Sequence, residues 1–379
     1  MTGMYSMVER RNLQGSHELL IENLSCIASA YGEAAAEEIL VELSLRVERI
    51  FGLSAHYVAM TPDGVRFFSC TERDVMAVLS ATTMPVQAGG THVVMALRLV
   101  PAQDVPPEKP SVQMVSFDAA LYRADMAIAA RVYEAVFRDR VHFLMQPVES
   151  TESAGTLYWE CFSSVMDEKG GILAPVVFIP ALERLGLTRF FDANMMYWTM
   201  DMLRTRQAMS LGCNISALSA VDDAWWSFIL ADLANEPSLA ARLVVEITET
   251  ASPPDVASAC SLIEKLHRLG CRVALDDFGK GFHSVDFARQ SHPDFIKIDA
   301  SFLPRNAEDA AARRLLVRLV ALSDVLAEKV VIEGVEDQSG YETAIQSGAA
   351  WVQGYHIAVP STWTGPAQTA ASESSRAGR

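Results

Sequence analysis

The feature that most constrains the fold is a repeated alternation of short apolar segments and helical segments in the second half of the chain. The apolar segments are LVVEI (243–247), CRVAL (271–275), FIKI (295–298), VVIE (330–333) and AWVQGY (350–355). Continuous apolar strands separated by amphipathic helices are typical of a parallel sheet that is buried on both faces. The number of such units between about 140 and 360 favours an eight-fold β/α barrel over an open sheet.

Polar side chains stand where these apolar segments end. They are Glu246, the pair Asp276 and Asp277, Lys297, Glu333 and Gln353. In a β/α barrel these strand ends meet at one face, where active sites are built. Any one of these residues is readily explained as a strand end that faces solvent. The same explanation does not suit five segments at once, because carboxylates with apolar flanks are costly to bury unless they are paired or bind metal. Oxygen ligands favour Mg²⁺ or Mn²⁺ over zinc.

The segments resemble, in order, the motifs of EAL-domain cyclic di-GMP phosphodiesterases. The motifs are HFLMQPV, LYWECFSSV, APVVFIPALERLGL, LGCNISA, VVEITET, VALDDFGKGF, FIKIDASFL, VVIEGVED and WVQGY. The resemblance implies a (β/α)₈ TIM-like barrel that hydrolyses cyclic di-GMP to linear pGpG in bacterial second-messenger signalling. A catalytically weak receptor for cyclic di-GMP, or a module that binds a protein partner, is the alternative.

The resemblance also implies roles for individual residues. It implies a site with two divalent cations, Mg²⁺ or Mn²⁺, whose ligands are Glu160, Asn214, Glu246, Asp276, Asp277 and Glu333, with Asp276 bridging. Lys297 would orient the attacking water, Glu333 would act as base or ligand, and Gln353 would support the network. Gln146, Glu160 and Asp277 would contact substrate. Glu249 and Glu336 would anchor the loop that follows the aspartate pair.

Several positions depart from the family pattern. Cys161 and Phe162 replace the Ala-Leu of the naming motif and read as packing substitutions. Ser164 stands where many members carry an arginine that contacts the ligand, and serine cannot replace a bidentate charged contact. Lys280 replaces a small residue in the loop after the aspartates. It either compensates for the missing arginine or is simply solvated, and we expect the second.

The N-terminal part resembles a degenerate GGDEF domain of smaller α+β fold. LLIENLSCIASAYGEAAAEEILVELSLRVERIFG is similar to the first helical region of that family, but MTPDGVRFF stands in place of the Gly-Gly-Asp-Glu-Phe signature. Without that turn the backbone cannot closely approach a triphosphate, so we expect no diguanylate cyclase activity. Asp63-Gly64 is instead typical of a hairpin turn. This domain would serve as a regulator or a dimerisation surface.

These observations predict five regions. They are an N-terminal tail (1–18), a degenerate GGDEF-like domain (19–105), a linker with a connecting helix (106–130), the EAL domain (131–364) and a disordered tail (365–379). The connecting helix has an approximate apolar stripe that either couples the domains or simply packs on the barrel, and we expect packing. A homodimer through the EAL domain is a further expectation.

Composition and charge exclude some classes of protein. The formal net charge of −16 argues against a binder of duplex nucleic acid, which usually has a basic face. It does not exclude an anionic ligand, because bound cations invert the local field. No apolar run reaches the length of a membrane span, and the N-terminus has no signal-peptide pattern. Six scattered cysteines without a C-x-x-C pair indicate a reduced, cytoplasmic protein.

Overall fold

The structure, a computed structural model, describes residues 15–51, 58–69, 72–102, 117–168, 170–281, 284–304 and 309–362. Most of the predicted N-terminal tail, most of the linker before the connecting helix and the predicted disordered C-terminal tail lie outside these residues. Phe282 and His283, which belong to the loop after the aspartate pair, also lie outside them.

The N-terminal part is a small α+β unit. Its elements are β1 (Gly15–Ile21), α1 (Leu24–Tyr31), α2 (Glu33–Phe51), β2 (Val58–Thr61), β3 (Gly64–Ser69), α3 (Glu72–Thr82), β4 (Val86–Ala88), β5 (Thr91–Val93) and β6 (Leu97–Pro101). β1 lies between β3 and β6 in an antiparallel four-stranded sheet of order β2-β3-β1-β6. The expectation of a helical region from residue 19 is wrong at its start, because Leu19 to Ile21 are buried in β1.

The expected hairpin joins β2 to β3, with its turn displaced by one residue from Asp63-Gly64. Thr61 pairs with Gly64, so Pro62 and Asp63 form the turn and Gly64 already belongs to β3. A Cβ on Gly64 would lie 2.0 Å from the Leu19 carbonyl oxygen, so the glycine allows β3 to pack closely on β1.

The connecting helix is α4 (Ala119–Phe137), which begins where Asp118 accepts hydrogen bonds from the amides of the first turn. It continues past the predicted domain boundary at 130. The predicted stripe consists of Leu121, Met126, Ala129, Val132 and Val136; the last four are buried, and Leu121 is 47% exposed. The predicted packing on the barrel is found, and α4 also contacts the N-terminal unit, whereas coupling between the two units stays a prediction. The Val94 amide donates to Met126 Sδ at 3.2 Å, and Tyr133 donates to the Leu187 carbonyl at 2.8 Å.

The remaining elements form a closed barrel surrounded by helices. They are β7 (Val141–Ser150), β8 (Thr156–Met166), β9 (Ile172–Leu173), α5 (Pro175–Leu185), α6 (Thr188–Thr205), β10 (Leu211–Ser216), α7 (Ala224–Asn235), α8 (Pro237–Ala240), β11 (Leu243–Thr248), α9 (Val256–Arg268), β12 (Arg272–Phe278), α10 (Val285–Ser291), β13 (Phe295–Ile298), α11 (Ala310–Leu326), β14 (Lys329–Ile332), α12 (Gln338–Gln346) and β15 (Trp351–Val352).

Eight of these strands close the barrel in the described part of the chain. β10 to β15 run parallel in chain order, and β10 also pairs in parallel with β8. β7 closes the ring between β15 and β8 and is antiparallel to both. The predicted TIM-like barrel is therefore confirmed, with one strand reversed. Within the described residues, no helix has the length and apolar character needed to span a bilayer.

Candidate active site

The parallel strands bring seven of the predicted polar residues to one end of the barrel. They are Glu160 on β8, Asn214 on β10, Glu246 on β11, Asp276 on β12, Lys297 on β13, and Glu333 and Gln353 directly after β14 and β15. Neighbouring strands place them side by side: Asn214 is the register partner of Glu246, and Glu160 is the partner of Gly212. The strand ends and the family resemblance together therefore located one connected cluster.

Lys297 lies at the centre of this cluster. Its side chain is completely buried, and its ammonium forms four ion pairs with carboxylate oxygens. The partners of Nζ are Glu160 Oε2 at 2.7 Å, Glu246 Oε2 at 2.8 Å, Asp276 Oδ1 at 2.7 Å and Glu333 Oε1 at 2.8 Å. Burial alone would lower the pKa of Lys297, but these four carboxylates raise it well above its ordinary value. The ammonium is therefore firmly charged.

The Glu160 carboxylate is held by three donors. Asn214 Nδ2 donates to Oε1 at 2.6 Å, while Gln353 Nε2 donates to Oε2 at 2.8 Å alongside the Lys297 ammonium. The Glu246 carboxylate is held by Tyr158, whose hydroxyl donates a hydrogen bond to Oε2 at 2.9 Å. The acids are thus fixed by a buried network and do not point freely into solvent.

One ammonium does not neutralise four carboxylates, and the cluster carries excess negative charge. Burial, followed by the charge of Glu160, raises the pKa of Glu246 to about 8. Burial, followed by the charge of Asp276, raises the pKa of Glu333 well above its ordinary value. Groups in this state gain from protonation or from additional bound cations. The site therefore favours positive charge beyond that of Lys297.

Asp276 and Asp277 lie at an irregularity in β12. The pairing of β12 with β13 shifts register between Leu275 and Phe278, and Asp277 has a left-handed backbone with φ of 57°. A short polar side chain tolerates that conformation better than most others do. The shift allows two adjacent carboxylates to lie at the same end of the barrel. In a regular strand, adjacent side chains would point to opposite faces of the sheet.

The loop after these aspartates is anchored by Glu249, as predicted. Glu249 Oε2 accepts hydrogen bonds from the backbone amides of Lys280 at 2.8 Å and Gly281 at 2.7 Å. A Cβ on Gly281 would lie 2.7 Å from the Glu249 carbonyl oxygen, so the approach requires glycine. The backbone that carries Lys280 is therefore fixed to the end of β11.

The Lys280 side chain is 59% exposed, but it is not simply solvated as expected. Its ammonium lies 3.1 Å from Asp299 Oδ2 and 3.6 Å from Asp277 Oδ1. Burial, followed by the charge of Asp276, raises the pKa of Asp277 to about 7. Burial tends to raise the pKa of Asp299 as well, but donors from Ser301, Asp277 and Lys280 outweigh it and lower that pKa to about 2.

Two predicted site residues lie differently from the rest. Glu336 is exposed, and within the described part of the loop no hydrogen bond or ion pair joins it to residues 278–281. Its predicted anchoring role stays a prediction, because residues 282 and 283 of that loop lie outside the described residues. Gln146 is buried beside Glu160 in the β7–β8 register, and its Nε2 donates to the Ala358 carbonyl at 2.7 Å. Its substrate contact stays a prediction.

Three residues that the sequence reasoning did not assign complete the site. Tyr158 holds Glu246, Asp299 pairs with Lys280, and Gly212 leaves room for the Glu246 carboxylate. Tyr158 lies two residues before Glu160, and Asp299 lies two residues after Lys297. The strand period of two would have pointed to Tyr158, because such neighbours on one strand share a face, whereas Asp299 follows the end of β13.

The donor set fits divalent cations bound through oxygen. The buried oxygens Asn214 Oδ1, Glu246 Oε1 and Gln353 Oε1 lack a hydrogen-bond donor among the described residues. Buried acceptors without a partner are costly, and oxygen ligands of this kind suit Mg²⁺ or Mn²⁺. Within the described residues, no three acid, imidazole or thiol groups are placed so that they could bind one metal ion together. Four of the acids contact the Lys297 ammonium instead.

The barrel and this cluster define a member of a known family. Residues 129–360, more than half of the chain, match the EAL domain, and the chain belongs to that family. The match begins within α4 and includes every residue of the cluster.

Individual relatives extend the likeness. The chain is 25% identical over 239 residues, 62% of its length, to the cyclic di-GMP phosphodiesterase PdeF of Escherichia coli K12, and 30% identical over 198 residues, 50% of its length, to the cyclic di-GMP phosphodiesterase PdeL of the same organism. The matched regions span 32% of PdeF and 54% of PdeL, so the chain covers about a third to a half of these curated relatives.

A solved structure resembles both units together. The S helix-GGDEF-EAL structure of Vibrio cholerae LapD, bound to c-di-GMP, covers 91% of this chain and 89% of its own, with a TM-score of 0.56 and 18% identity. At that identity the likeness shows the fold alone. It confirms the predicted order of a GGDEF-like fold followed by an EAL barrel.

Proposed function

We propose that this protein hydrolyses one phosphodiester linkage of cyclic di-GMP to give linear pGpG. The observation that carries the proposal is the buried cluster around Lys297, in which four carboxylates and two amides leave excess negative charge and unpaired oxygens at the active-site end of the barrel. The relatives PdeF and PdeL, which are named as cyclic di-GMP phosphodiesterases, support the substrate.

The ligands of two divalent cations, Mg²⁺ or Mn²⁺, would be drawn from the predicted set of Glu160, Asn214, Glu246, Asp276, Asp277 and Glu333. Such cations, when bound, supply an acidified water and neutralise the phosphate oxygens. The amides of Asn214 and Gln353 hold Glu160 in a fixed orientation, and Tyr158 holds Glu246, so these contacts keep both acids at this end of the barrel.

Glu333 and Lys297 would act on the reacting groups. Glu333, whose Oε1 lies 2.8 Å from the Lys297 ammonium, would accept a proton from the attacking water or bind a cation. The Lys297 ammonium provides a fixed positive charge for the negative charge that develops on the phosphoryl group, as in other phosphoryl-transfer sites. The Glu249 contacts keep the aspartate loop in place while substrate binds.

A receptor that binds cyclic di-GMP without efficient turnover is the second candidate. Ser164 favours it: this part-buried residue lies on β8, four residues after Glu160 and therefore on the same face of the strand. Many family members carry an arginine there. The LapD structure bound to c-di-GMP shows that such a two-domain fold also occurs as a ligand complex.

The experiment that separates these functions combines turnover with binding. Purified protein is mixed with cyclic di-GMP and Mn²⁺, the product is separated by chromatography, and binding is measured by calorimetry in parallel. An enzyme forms pGpG, and Glu160→Gln abolishes its formation while the exposed control Glu264→Gln does not. Binding without product in the unmodified protein would establish the receptor and overturn the enzyme.

The remaining expectations also stand as proposals. The N-terminal unit would not synthesise cyclic di-GMP, because MTPDGVRFF replaces the GGDEF signature. A homodimer would use the EAL domain, whose helix α11 exposes Leu315, Leu322 and Val325. The five cysteines within the described residues are free thiols, which suits a reduced, cytoplasmic compartment.

A further inference from the structure

Two lysines contact the acids at this end of the barrel, and each contacts a different set. Lys297 takes the four carboxylates of Glu160, Glu246, Asp276 and Glu333, whereas Lys280 takes Asp277 and Asp299. Five of the predicted cation ligands are carboxylates, and within the described residues Asp277 is the one of these five that forms no ion pair with Lys297. A different positive charge therefore serves this part of the site.

The position of the Lys280 ammonium is imposed by the fold. The Lys280 amide donates to Glu249 Oε2 at 2.8 Å and to the Asp277 carbonyl at 3.2 Å, so its backbone is fixed on both sides. On the other side of the contact, Asp299 is held by a hydrogen bond from the Ser301 amide to Oδ1 at 2.9 Å, and its Oδ2 faces Lys280. The side chain thus extends from an anchored turn to an anchored carboxylate.

An ammonium and a divalent cation cannot share such a position. Both seek the same carboxylate oxygens, and like charges a few ångströms apart repel even in a water-like medium. Lys280 is also tethered to the site, so it competes without needing to be supplied from solution. Removal of its charge leaves Asp277 and Asp299 free to accept another cation.

We infer that Lys280 is a built-in competitor of the divalent cation next to Asp277, so that this cation binds more weakly than it would without the Lys280 charge. The inference rests on the proposed two-cation function. It assigns to Lys280 the control of how many cations the site holds at a given concentration, in place of a direct contact with substrate.

The test measures Mn²⁺ binding in the full chain, by calorimetry and by the spin resonance signal of free Mn²⁺. Lys280→Met removes the charge and keeps the length of the side chain, and Lys280→Arg keeps the charge. Lys265→Met is the matched control. Lys265 lies on α9, away from the cluster, and forms a comparable ion pair with Asp222. We expect Lys280→Met to tighten one Mn²⁺ site by roughly ten- to thirtyfold. Lys280→Arg and Lys265→Met should match the unmodified protein.

The outcomes distinguish a failure of the inference about Lys280 from a failure of the proposed two-cation function. Two Mn²⁺ ions in the unmodified protein with one site tightened in Lys280→Met support the inference, as does a change from one bound ion to two. Two ions with identical constants in both proteins overturn the inference and leave the function standing. An absence of Mn²⁺ binding in both proteins overturns the two-cation function, and the inference with it.

Discussion

Gly212 and Glu246 lie on adjacent strands, and a Cβ on Gly212 would lie 2.0 Å from Glu246 Oε1. The absence of a side chain on β10 is therefore what allows a carboxylate of β11 to lie inside the barrel. The same Cβ would lie 2.7 Å from the Tyr158 ring, so the residue that holds Glu246 also depends on this glycine.

We predict that Gly212→Ala displaces the Glu246 carboxylate and lowers kcat/KM for cyclic di-GMP by at least about a hundredfold, because a misplaced catalytic group costs that much. Gly155→Ala is the control, since a Cβ there meets nothing within 4 Å. Steady-state kinetics of the two variants checks this. Equal activity would show that Glu246 has no role at the reaction centre.

A second prediction concerns the ammonium of Lys297. Lys297→Met leaves four buried carboxylates without their shared counter-ion, so the free energy of unfolding at neutral pH should fall by about 3–5 kcal/mol. Mn²⁺ should restore part of the loss by binding to the same acids. Urea unfolding with and without Mn²⁺ measures both effects, with Lys265→Met as the control. Unchanged stability would contradict the central position assigned to Lys297.

Much of this site was predictable because strand ends are visible in a sequence. Lys297 and Glu333 were found from apolar runs that end in a polar residue, and the run FIKI coincides with β13. The reversed direction of β7 was not predictable in this way, because an apolar run has no direction. The contacts of Lys280 also escaped prediction, since they depend on the left-handed backbone of Asp277 and the fixed loop.

In the N-terminal unit, the apolar run of β1 was joined to the helical spacing of α1 because residues 19–31 have no glycine or proline between them. A short strand followed by a helix is easily merged when no breaker separates them.

The third prediction uses Asp192, which is buried on α6 and accepts a hydrogen bond from the Ser216 amide at 3.0 Å. Burial raises its pKa from 3.8 to about 7. The protonated form therefore contributes stability that is fully present below the unfolded pKa and is lost as pH rises toward 7. Asp192→Asn should remove this loss, which has a slope of up to about 1.4 kcal/mol per pH unit.

Urea unfolding between pH 5.5 and 7.5 tests this by difference. The variant should gain stability relative to the unmodified protein as the pH rises through this range. Other groups with shifted pKa values contribute equally to both proteins and cancel. Parallel pH profiles for the two proteins would show that Asp192 keeps an ordinary pKa in the folded state.

The fourth prediction concerns the missing arginine. If Ser164 limits substrate binding, Ser164→Arg should lower KM by the equivalent of one charge-assisted contact, about 1.5–3 kcal/mol. The kcat should change little, because a contact made equally in the ground and transition states alters KM alone. Ser163→Arg, one residue earlier and on the opposite face of β8, is the control. A change in kcat with constant KM would place residue 164 in the chemistry.

The most direct test of the central claim is turnover of cyclic di-GMP by protein that has been stripped of metal and then reloaded. Our account predicts no pGpG in excess EDTA, recovery with Mn²⁺ or Mg²⁺, and inhibition by Ca²⁺, whose larger and looser coordination shell suits the in-line geometry poorly. Undiminished formation of pGpG by the stripped protein in EDTA would contradict it.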